Sequence, residues 1–416
     1  MKRKDFIRKS MFAIGGSLFL PRILQPLWGQ PILRDLREAF NNKTVILINL
    51  SGGNDGLNTV VPYTNDIYYQ LRPNIGIPSS SVLPISDNLG LHPELSELHA
   101  AWEMDKLAVI ENVGYSSQNL SHFRSTDIWR SGSDSNEVVS TGWIARYIEQ
   151  IISDVHSSPP LDPPAFQIGN SNTLQLTGED GMTGVLVDDP ETFYQLVNET
   201  YDEPIDGENP IETAASQEVD FIRQISALSF NYADVIQEAS LNGQNTVNYT
   251  NNTPGKYLKI IAKLISGGLY SPFYLVHHGG FDTHDDQLSR QETLLDRLST
   301  SMASFTLDLE NQGLGDDVIV MTTSEFGRRT YENGALGTDH GSSAPHFILG
   351  NNLNSSIFGG EPDLTNLDNN ENLLHTTDYR QIYASLIRGW FGHSQEDYPG
   401  LVESIFSQNI NSLDIF

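Results

Sequence analysis

Five short apolar runs, each breaking off at a polar, glycine-rich segment, constrain this 416-residue chain more than any other feature. Thr44–Leu50 (TVILINL) runs into Ser51-Gly52-Gly53-Asn54-Asp55-Gly56, and Leu107–Val113 (LAVIENV) leads to a polar stretch ending at Ser121-His122-Phe123. Pro272–His277 (PFYLVH) precedes Gly279-Gly280-Phe281-Asp282-Thr283-His284, and Asp317–Met321 (DVIVM) precedes Ser324-Glu325-Phe326-Gly327-Arg328. His346–Leu349 is the fifth and follows Asp339-His340-Gly341. Continuous apolar runs of this length, bounded by turn residues, suit strands buried on both faces of a parallel sheet. Helical segments lie between them: His92–Trp102, Ser140–Ile152, Glu218–Ala239, Gly255–Ile265, Leu288–Leu309 and Tyr379–Phe391, with apolar spacing near 3.6 in the later ones. This alternation predicts an α/β fold, a three-layer α/β/α sandwich with a mainly parallel central sheet. One such domain is expected over residues 40–416, with an acidic, Asn-rich helical insertion at about 180–252 and a long surface loop at 351–378.

The beginning of the chain reads as an address. Residues 1–30 carry Lys2, Arg3, Lys4, Arg8, Lys9 and Arg22 against the single acid Asp5, followed by an apolar run from Met11 to Leu20. Ten residues are too few to span a hydrocarbon core of ~30 Å, so the run is expected to be a signal region and not a membrane span. Arg3-Lys4-Asp5-Phe6-Ile7-Arg8 is similar to the twin-arginine export motif, with Lys in the second twin position. Delivery by the export machinery to a periplasmic or secreted location is the expectation.

Charge excludes whole classes of partner. Of 24 Lys and Arg and 53 Asp and Glu, residues 31–416 hold 18 basic and 52 acidic groups, a net of -34. Such a body repels phosphate backbones, so no nucleic-acid partner is expected. The absence of Cys removes disulfides, thiolate metal sites and thiol nucleophiles.

In an open parallel sheet ligands bind at the carboxyl ends of strands. Asp55, His122, Asp282, His284, Glu325, Asp339 and His340 all stand beside predicted strands at such turns. Their mixed oxygen and nitrogen donors suit one or two divalent ions, with Zn, Mn or Ca in view. Asp55, Asp282, His284, Glu325, Asp339 and His340 are the expected metal ligands. Each also has a purely structural reading: a tight turn at Asn54-Asp55, a helix N-cap at Asp282, a capping pair at Ser324-Glu325 and a plain turn at Asp339-His340-Gly341. Arg328 is placed to clamp an anionic substrate or to form a salt bridge. His277, His278 and His346 are expected to be packed. No G-x-S-x-G elbow, phosphate-binding G-x-x-x-x-G-K-[ST] loop or G-x-G-x-x-G turn is present.

Taken together, Leu50-Ser51-Gly52-Gly53-Asn54-Asp55-Gly56-Leu57-Asn58, Leu91-His92-Pro93, Asn119-Leu120-Ser121-His122-Phe123-Arg124-Ser125, Thr141-Gly142-Trp143, Gly280-Phe281-Asp282-Thr283-His284, Ser324-Glu325-Phe326-Gly327-Arg328 and Gly337-Thr338-Asp339-His340-Gly341 resemble the bacterial exported family called domain of unknown function 1501. That family is similar to the alkaline phosphatase and sulfatase superfamily. The resemblance implies an alkaline-phosphatase-like sandwich with a two-metal site, in which Asp55, the pair Asp282 and His284, and His340 match the superfamily's ligand positions. Ser324-Glu325 departs from the Asp-His usual after the next strand, which leaves one imidazole fewer. The superfamily's nucleophile position at a helix start is matched by Ser121, Ser125 or Thr126, while the sulfatase motif C/S-x-P-x-R does not occur. The expected function is metal-dependent hydrolysis of phosphate or sulfate esters of small molecules or glycans. Ser121 or a water would attack, His122 would act as acid or base, and Arg328 would hold the non-bridging oxygens. The alternative is a catalytically silent relative that binds an envelope or extracellular ligand, such as a polysaccharide, through the same cleft.

Overall fold

The five apolar runs all form strands, whose ends fall within two residues of those expected. The computed structural model describes residues 36–169, 174–188 and 232–416. The strands are β1 (Thr44–Ser51), β2 (Val60–Val61), β3 (Leu83–Pro84), β4 (Gly90–Leu91), β5 (Leu107–Gly114), β6 (Ala165–Ile168), β7 (Val185–Val187), β8 (Phe273–Gly279), β9 (Val318–Thr323), β10 (Ala344–Leu349), β11 (Ile357–Phe358) and β12 (Thr377–Asp378). The helices used below are α1 (Gly56–Thr59), α2 (Asp66–Leu71), α3 (Ser96–Glu103), α4 (His122–Ser131), α5 (Trp143–Ile151), α6 (Thr253–Ser266), α7 (Gln287–Asn311), α8 (Tyr379–Ser385) and α9 (Leu401–Phe406).

The central sheet runs β11-β5-β10-β9-β1-β8-β6-β7, with β12 beside β5. Every pairing in it is parallel except those of β10, which runs antiparallel to β5 and β9. Alternate side chains of each strand enter opposite cores, as the two-residue strand period requires. Val45, Leu47, Leu275, Ile319 and Met321 pack with α4, α5, α8 and α9 on one face. Ile46, Ile48, Leu50, Tyr274, Val276 and Val320 pack with α3, α6 and α7 on the other. The α/β/α sandwich with a mainly parallel sheet is therefore the observed architecture. Strands β2, β4 and β3 form a small separate antiparallel sheet.

Residues 1–30, read as an export segment, and 189–231 of the expected insertion lie outside the described residues. Of the remainder of that insertion, Val185–Val187 is β7, at the end of the central sheet, and residues 232–242 are helical. The loop expected at 351–378 contributes the two-residue strands β11 and β12 to the sheet. Among the described residues no helix is long and apolar enough to cross a membrane. Because β9, β1 and β8 are parallel neighbours, the segments that follow them emerge together at one edge of the sheet.

A buried strand acid, Glu111, opposes the apolar rule. Glu111 lies in β5 with 3% of its surface exposed, and its Oε1 has no hydrogen-bond partner. Burial pushes its carboxyl from 4.5 to about 8, against a weaker lowering by the Asn112 backbone. Because the folded-state value is raised, the folded chain holds this proton where the unfolded chain releases it. Stability then falls as pH rises from about 4.5 through 8. Glu111→Gln is expected to stabilise the protein by on the order of a few kcal/mol at pH 8 and by much less near pH 5. Denaturant titrations at the two pH values check this; an equal effect at both refutes it.

Candidate functional site

The turn after β1 depends on two glycines in the left-handed region, Gly52 at φ +122° and Gly53 at φ +78°. A Cβ on Gly52 would lie 2.2 Å from the Asp282 backbone nitrogen, so only glycine allows the segments after β1 and β8 to meet. Into this junction reaches Arg328, with 2% of its surface exposed. Its Nε donates to the Gly53 carbonyl at 2.8 Å and its Nη1 to the Thr338 carbonyl at 2.8 Å. Its Nη2 donates to the carbonyls of Gly52 and Phe281 and to Asp282 Oδ1, the last at 2.7 Å. The expected substrate clamp is thus a buried brace, because backbone and carboxylate acceptors already engage its fork.

Asp282 is half exposed and lies at the centre of an imidazole group. His284 Nε2 is 3.0 Å and His340 Nε2 is 3.1 Å from Asp282 Oδ1, and His122 Nε2 is 3.5 Å from Oδ2. The two nitrogens His284 Nε2 and His340 Nε2 are 3.0 Å apart. His122, Asp282 and His340 offer donor atoms that all lie within 4.8 Å of one another. Each imidazole is held from behind. His122 Nδ1 meets Glu325 Oε1 at 2.9 Å, His284 Nδ1 meets Asp339 Oδ1 at 3.1 Å, and His340 Nδ1 meets the Leu120 carbonyl at 2.9 Å. A carbonyl or an ionised carboxylate can only accept, so all three Nδ1 atoms carry hydrogen and the three Nε2 atoms face Asp282. The rings also touch, with centroids 4.4 Å apart for His122 and His340 and 4.7 Å for Phe326 and His340.

Electrostatics follows the contacts. Burial raises the Asp282 carboxyl, but the hydrogen-bonded Arg328 guanidinium, with a smaller contribution from His340, outweighs it and brings the pKa down to about 2. The Glu325 hydrogen bond raises the His122 imidazole above its ordinary value despite partial burial. Burial lowers His340, opposed by its bonds to Leu120 and Asp282. Burial raises Asp339, but the bonds from His284 and Asn333 more than reverse this.

The structure therefore gathers His122, Asp282, His284 and His340, with Glu325 and Asp339 behind two of the rings. Glu325 is 1% exposed; its Oε1 also accepts from the Gly52 N–H at 2.9 Å, and its Oε2 has no partner. Asp55 is not in the group. It is 2% exposed and clasped by Arg72, at 2.6 Å to Oδ2 and 3.0 Å to Oδ1, with Gln287 Nε2 also donating to Oδ2. Ser121 is exposed at the N-cap of α4, and its hydroxyl makes no hydrogen bond among the described residues. Ser125 is buried and donates to the Glu325 carbonyl at 2.5 Å. The local structural alternatives do not account for the group: the N-cap position of α7 is Asp286 and not Asp282, and Ser324 Oγ bonds the carbonyls of Leu50 and Phe326. His278 and His346 are buried and His277 is partly exposed. Asn333, which donates to the His284 carbonyl at 2.9 Å, and the Leu120 carbonyl were not foreseen, since nothing in their local sequence marks them.

Residues 264–388 match the family described as "Protein of unknown function (DUF1501)", in agreement with the motif resemblance. No curated protein matches the chain. Among solved structures it is similar to the PsFucS1 sulfatase from Pseudoalteromonas sp., at 12% identity and a TM-score of 0.38 over 100% of this chain and 75% of that one. It is also similar to a protein in the alkaline phosphatase superfamily from Vibrio parahaemolyticus, at 10% identity and TM-score 0.32, covering 86% and 71%. A third similarity is to alkaline phosphatase from the Antarctic bacterium TAB5, at 10% identity and TM-score 0.30, covering 76% and 94%.

The Asp55–Arg72 pair yields a direct test of its role. Removing one partner of a buried ion pair leaves an uncompensated charge, which typically costs about 3–5 kcal/mol. Asp55→Ala is expected to lose that much stability in urea, and Asp55→Leu combined with Arg72→Leu to recover most of it. Asp55→Ala unfolding at the wild-type midpoint shows the reading to be wrong.

Proposed function

We propose that this chain is an exported, metal-dependent hydrolase of phosphate or sulfate esters, with Asp282, His284 and His340 as the residues that hold a divalent cation and His122 beside them. The observation that carries this reading is the convergence of three Nε2 atoms on one carboxylate while each Nδ1 is anchored by an acceptor. Imidazole lone pairs turned toward a carboxylate repel it unless protons or a cation stand between them. Backing of a ligating imidazole by a carboxylate or carbonyl is the usual support of a metal site. Spacing agrees as well. Ligand atoms ~2.0–2.1 Å from a tetrahedral Zn stand roughly 3.3 Å apart, close to the 3.0–3.1 Å found between His284, His340 and Asp282. The mixed nitrogen and oxygen set fits Zn or Mn better than Ca.

A divalent cation there supplies Lewis acidity toward an ester oxygen. The chain supplies the rest. Arg328 holds Asp282 in place and ionised, through a 2.7 Å bond from a guanidinium that cannot turn away. Glu325 orients His122, and its bond raises the imidazole above its ordinary value, which suits a group that gives a proton to a leaving group. Glu325 and Asp339 thus act through His122 and His284. With Asp55 engaged by Arg72, the ligands present support one ion in preference to two. The attacking group is taken to be a water, because Ser125 is tied to the Glu325 carbonyl and Tyr115 and the Ser121 hydroxyl has no hydrogen bond to a base among the described residues.

A silent, ligand-binding relative is the second reading, and the lack of a hydroxyl hydrogen-bonded to a general base favours it. One experiment separates the two. The protein is expected to retain about one Zn or Mn per chain after dialysis and to hydrolyse an aryl phosphate or aryl sulfate. Asp282→Asn and His340→Ala should abolish both, and a metal-retaining protein inert on both esters points to the binding reading. Absence of bound metal after incubation with Zn, Mn, Ca and Mg defeats the proposal.

A further inference from the structure

Thr283 stands between Asp282 and His284, and Thr338 immediately precedes Asp339 and His340. Both threonines are buried, and both hydroxyls donate to one atom, Gln287 Oε1, at 3.2 Å from Thr283 and 2.6 Å from Thr338. Gln287 is the first residue of α7 and is fully buried. Its Nε2 donates to Asp55 Oδ2 and stands 3.4 Å from Gln291 Oε1. These partners fix which way the amide lies. An ionised carboxylate only accepts, so the Nε2 end faces Asp55 and the carbonyl end is left for the two hydroxyls. Asp55 cannot shift in turn, because Arg72 clasps its carboxylate and Gln291 Nε2 donates to its backbone carbonyl at 3.0 Å.

The two segments also meet through their backbones. The Thr338 N–H donates to the Thr283 carbonyl at 3.2 Å, and the Gln287 N–H to the Leu336 carbonyl at 3.0 Å. A Cβ on Gly337 would lie 2.2 Å from the His284 carbonyl carbon, so the approach is one that only glycine permits. Few backbone bonds between two short irregular segments leave them free to twist past each other. The shared carboxamide opposes that twist, since it bonds a side chain from each segment within two residues of His284 and His340. Neither threonine hydroxyl has another acceptor among the described residues. Moving either segment would therefore strand a buried hydroxyl, which is costly. Across the site from this staple, His284 Nε2 and His340 Nε2 stand 3.0 Å apart.

We propose that Gln287 is a positioning residue of the cation site: by accepting from Thr283 and Thr338 together, it fixes the gap between His284 and His340. Its anchor is the Asp55–Arg72 pair, to which its own Nε2 end is bonded. Asp55, at a position where the motif resemblance implies a metal ligand, thus serves the site at one remove. That the gap receives a cation rests on the hydrolase reading; the fixing of the gap does not.

The test compares full-length variants. Thr283→Val and Thr338→Val keep the side-chain shape and lose the hydroxyl, whereas Thr283→Ser and Thr338→Ser keep the hydroxyl. The first readout needs no metal. Crystal structures of the metal-free proteins should show the gap between His284 and His340 kept in the serine variants and altered by more than about 0.5 Å, the tolerance of a preorganised site, in the valine variants. The second readout is cobalt(II) binding followed by visible absorption, which reports ligand geometry as well as affinity. The valine variants should bind cobalt about tenfold more weakly, as loss of an outer partner does, and with a changed spectrum, while the serine variants match wild type. Gln287→Leu should weaken binding at least as much, and adding Thr338→Val to it should cost little more, because both changes remove the same bond. If Gln287→Leu does not fold, the threonine pairs decide. The proposal is overturned by an unchanged gap in the valine variants, by wild-type cobalt affinity and spectrum in them, or by equal losses in the valine and serine variants. Wild-type protein that binds neither cobalt nor zinc defeats the hydrolase reading alone, and the gap measurement still decides this one.

Discussion

One guanidinium holds the functional edge of this protein together. Strands in a parallel sheet are joined along their length by ladder hydrogen bonds, but the segments leaving them have no ladder. Arg328 replaces it: four carbonyls and one carboxylate, from the segments after β1 and β8 and from the segment before β10, accept from a side chain that itself follows β9. An arginine suits this place because it presents five donors in a fixed plane and stays charged when buried. A lysine could not satisfy acceptors lying in so many directions. The two left-handed glycines are the other half of the device, since they let the carbonyls of Gly52 and Gly53 turn toward the guanidinium while Asp282 approaches the same backbone.

The positions of the three imidazoles follow from that brace. Asp282 is fixed by Arg328, and the Gly52 N–H fixes Glu325, which in turn fixes His122. The short bridge between Arg328 and His340 and the bond from the Arg329 N–H to the Asp339 carbonyl align the Asp339-His340 segment with the chain after β9. Backbone therefore sets the outer side of the cluster and side chains set the inner side. For the cation site proposed above such preorganisation matters, because ligands already in position would need little reordering on binding.

Much of this was legible in the sequence, and the illegible part has a consistent physical cause. Five strands, their ends and the clustering of Asp282, His284 and His340 could be read from apolar runs and the residues beyond them, because strand burial and strand-end geometry are local consequences of pattern. Partner choice is not local. Asp55 and Asp282 occupy equivalent places after β1 and β8, yet Asp55 meets Arg72 at the end of α2, and nothing near either residue announces the pair. Glu325 reads as a ligand and stands instead behind His122. Arg328 reads as a clamp for substrate, whereas its contacts are with the chain itself. The antiparallel β10 was also hidden, since an apolar run carries no sign of its direction.

The net charge of -29 gives these local arrangements a larger meaning. A field of that sign opposes the approach of an anionic substrate, so an ester hydrolase on this body has to reverse the potential within its cleft. The cations at hand are few and differently employed. Arg328 is consumed by carbonyls and Asp282, and Arg72 by Asp55, which leaves neither with charge to offer a ligand. Three imidazoles around one carboxylate contribute positive charge only as far as they are protonated or occupied by a metal.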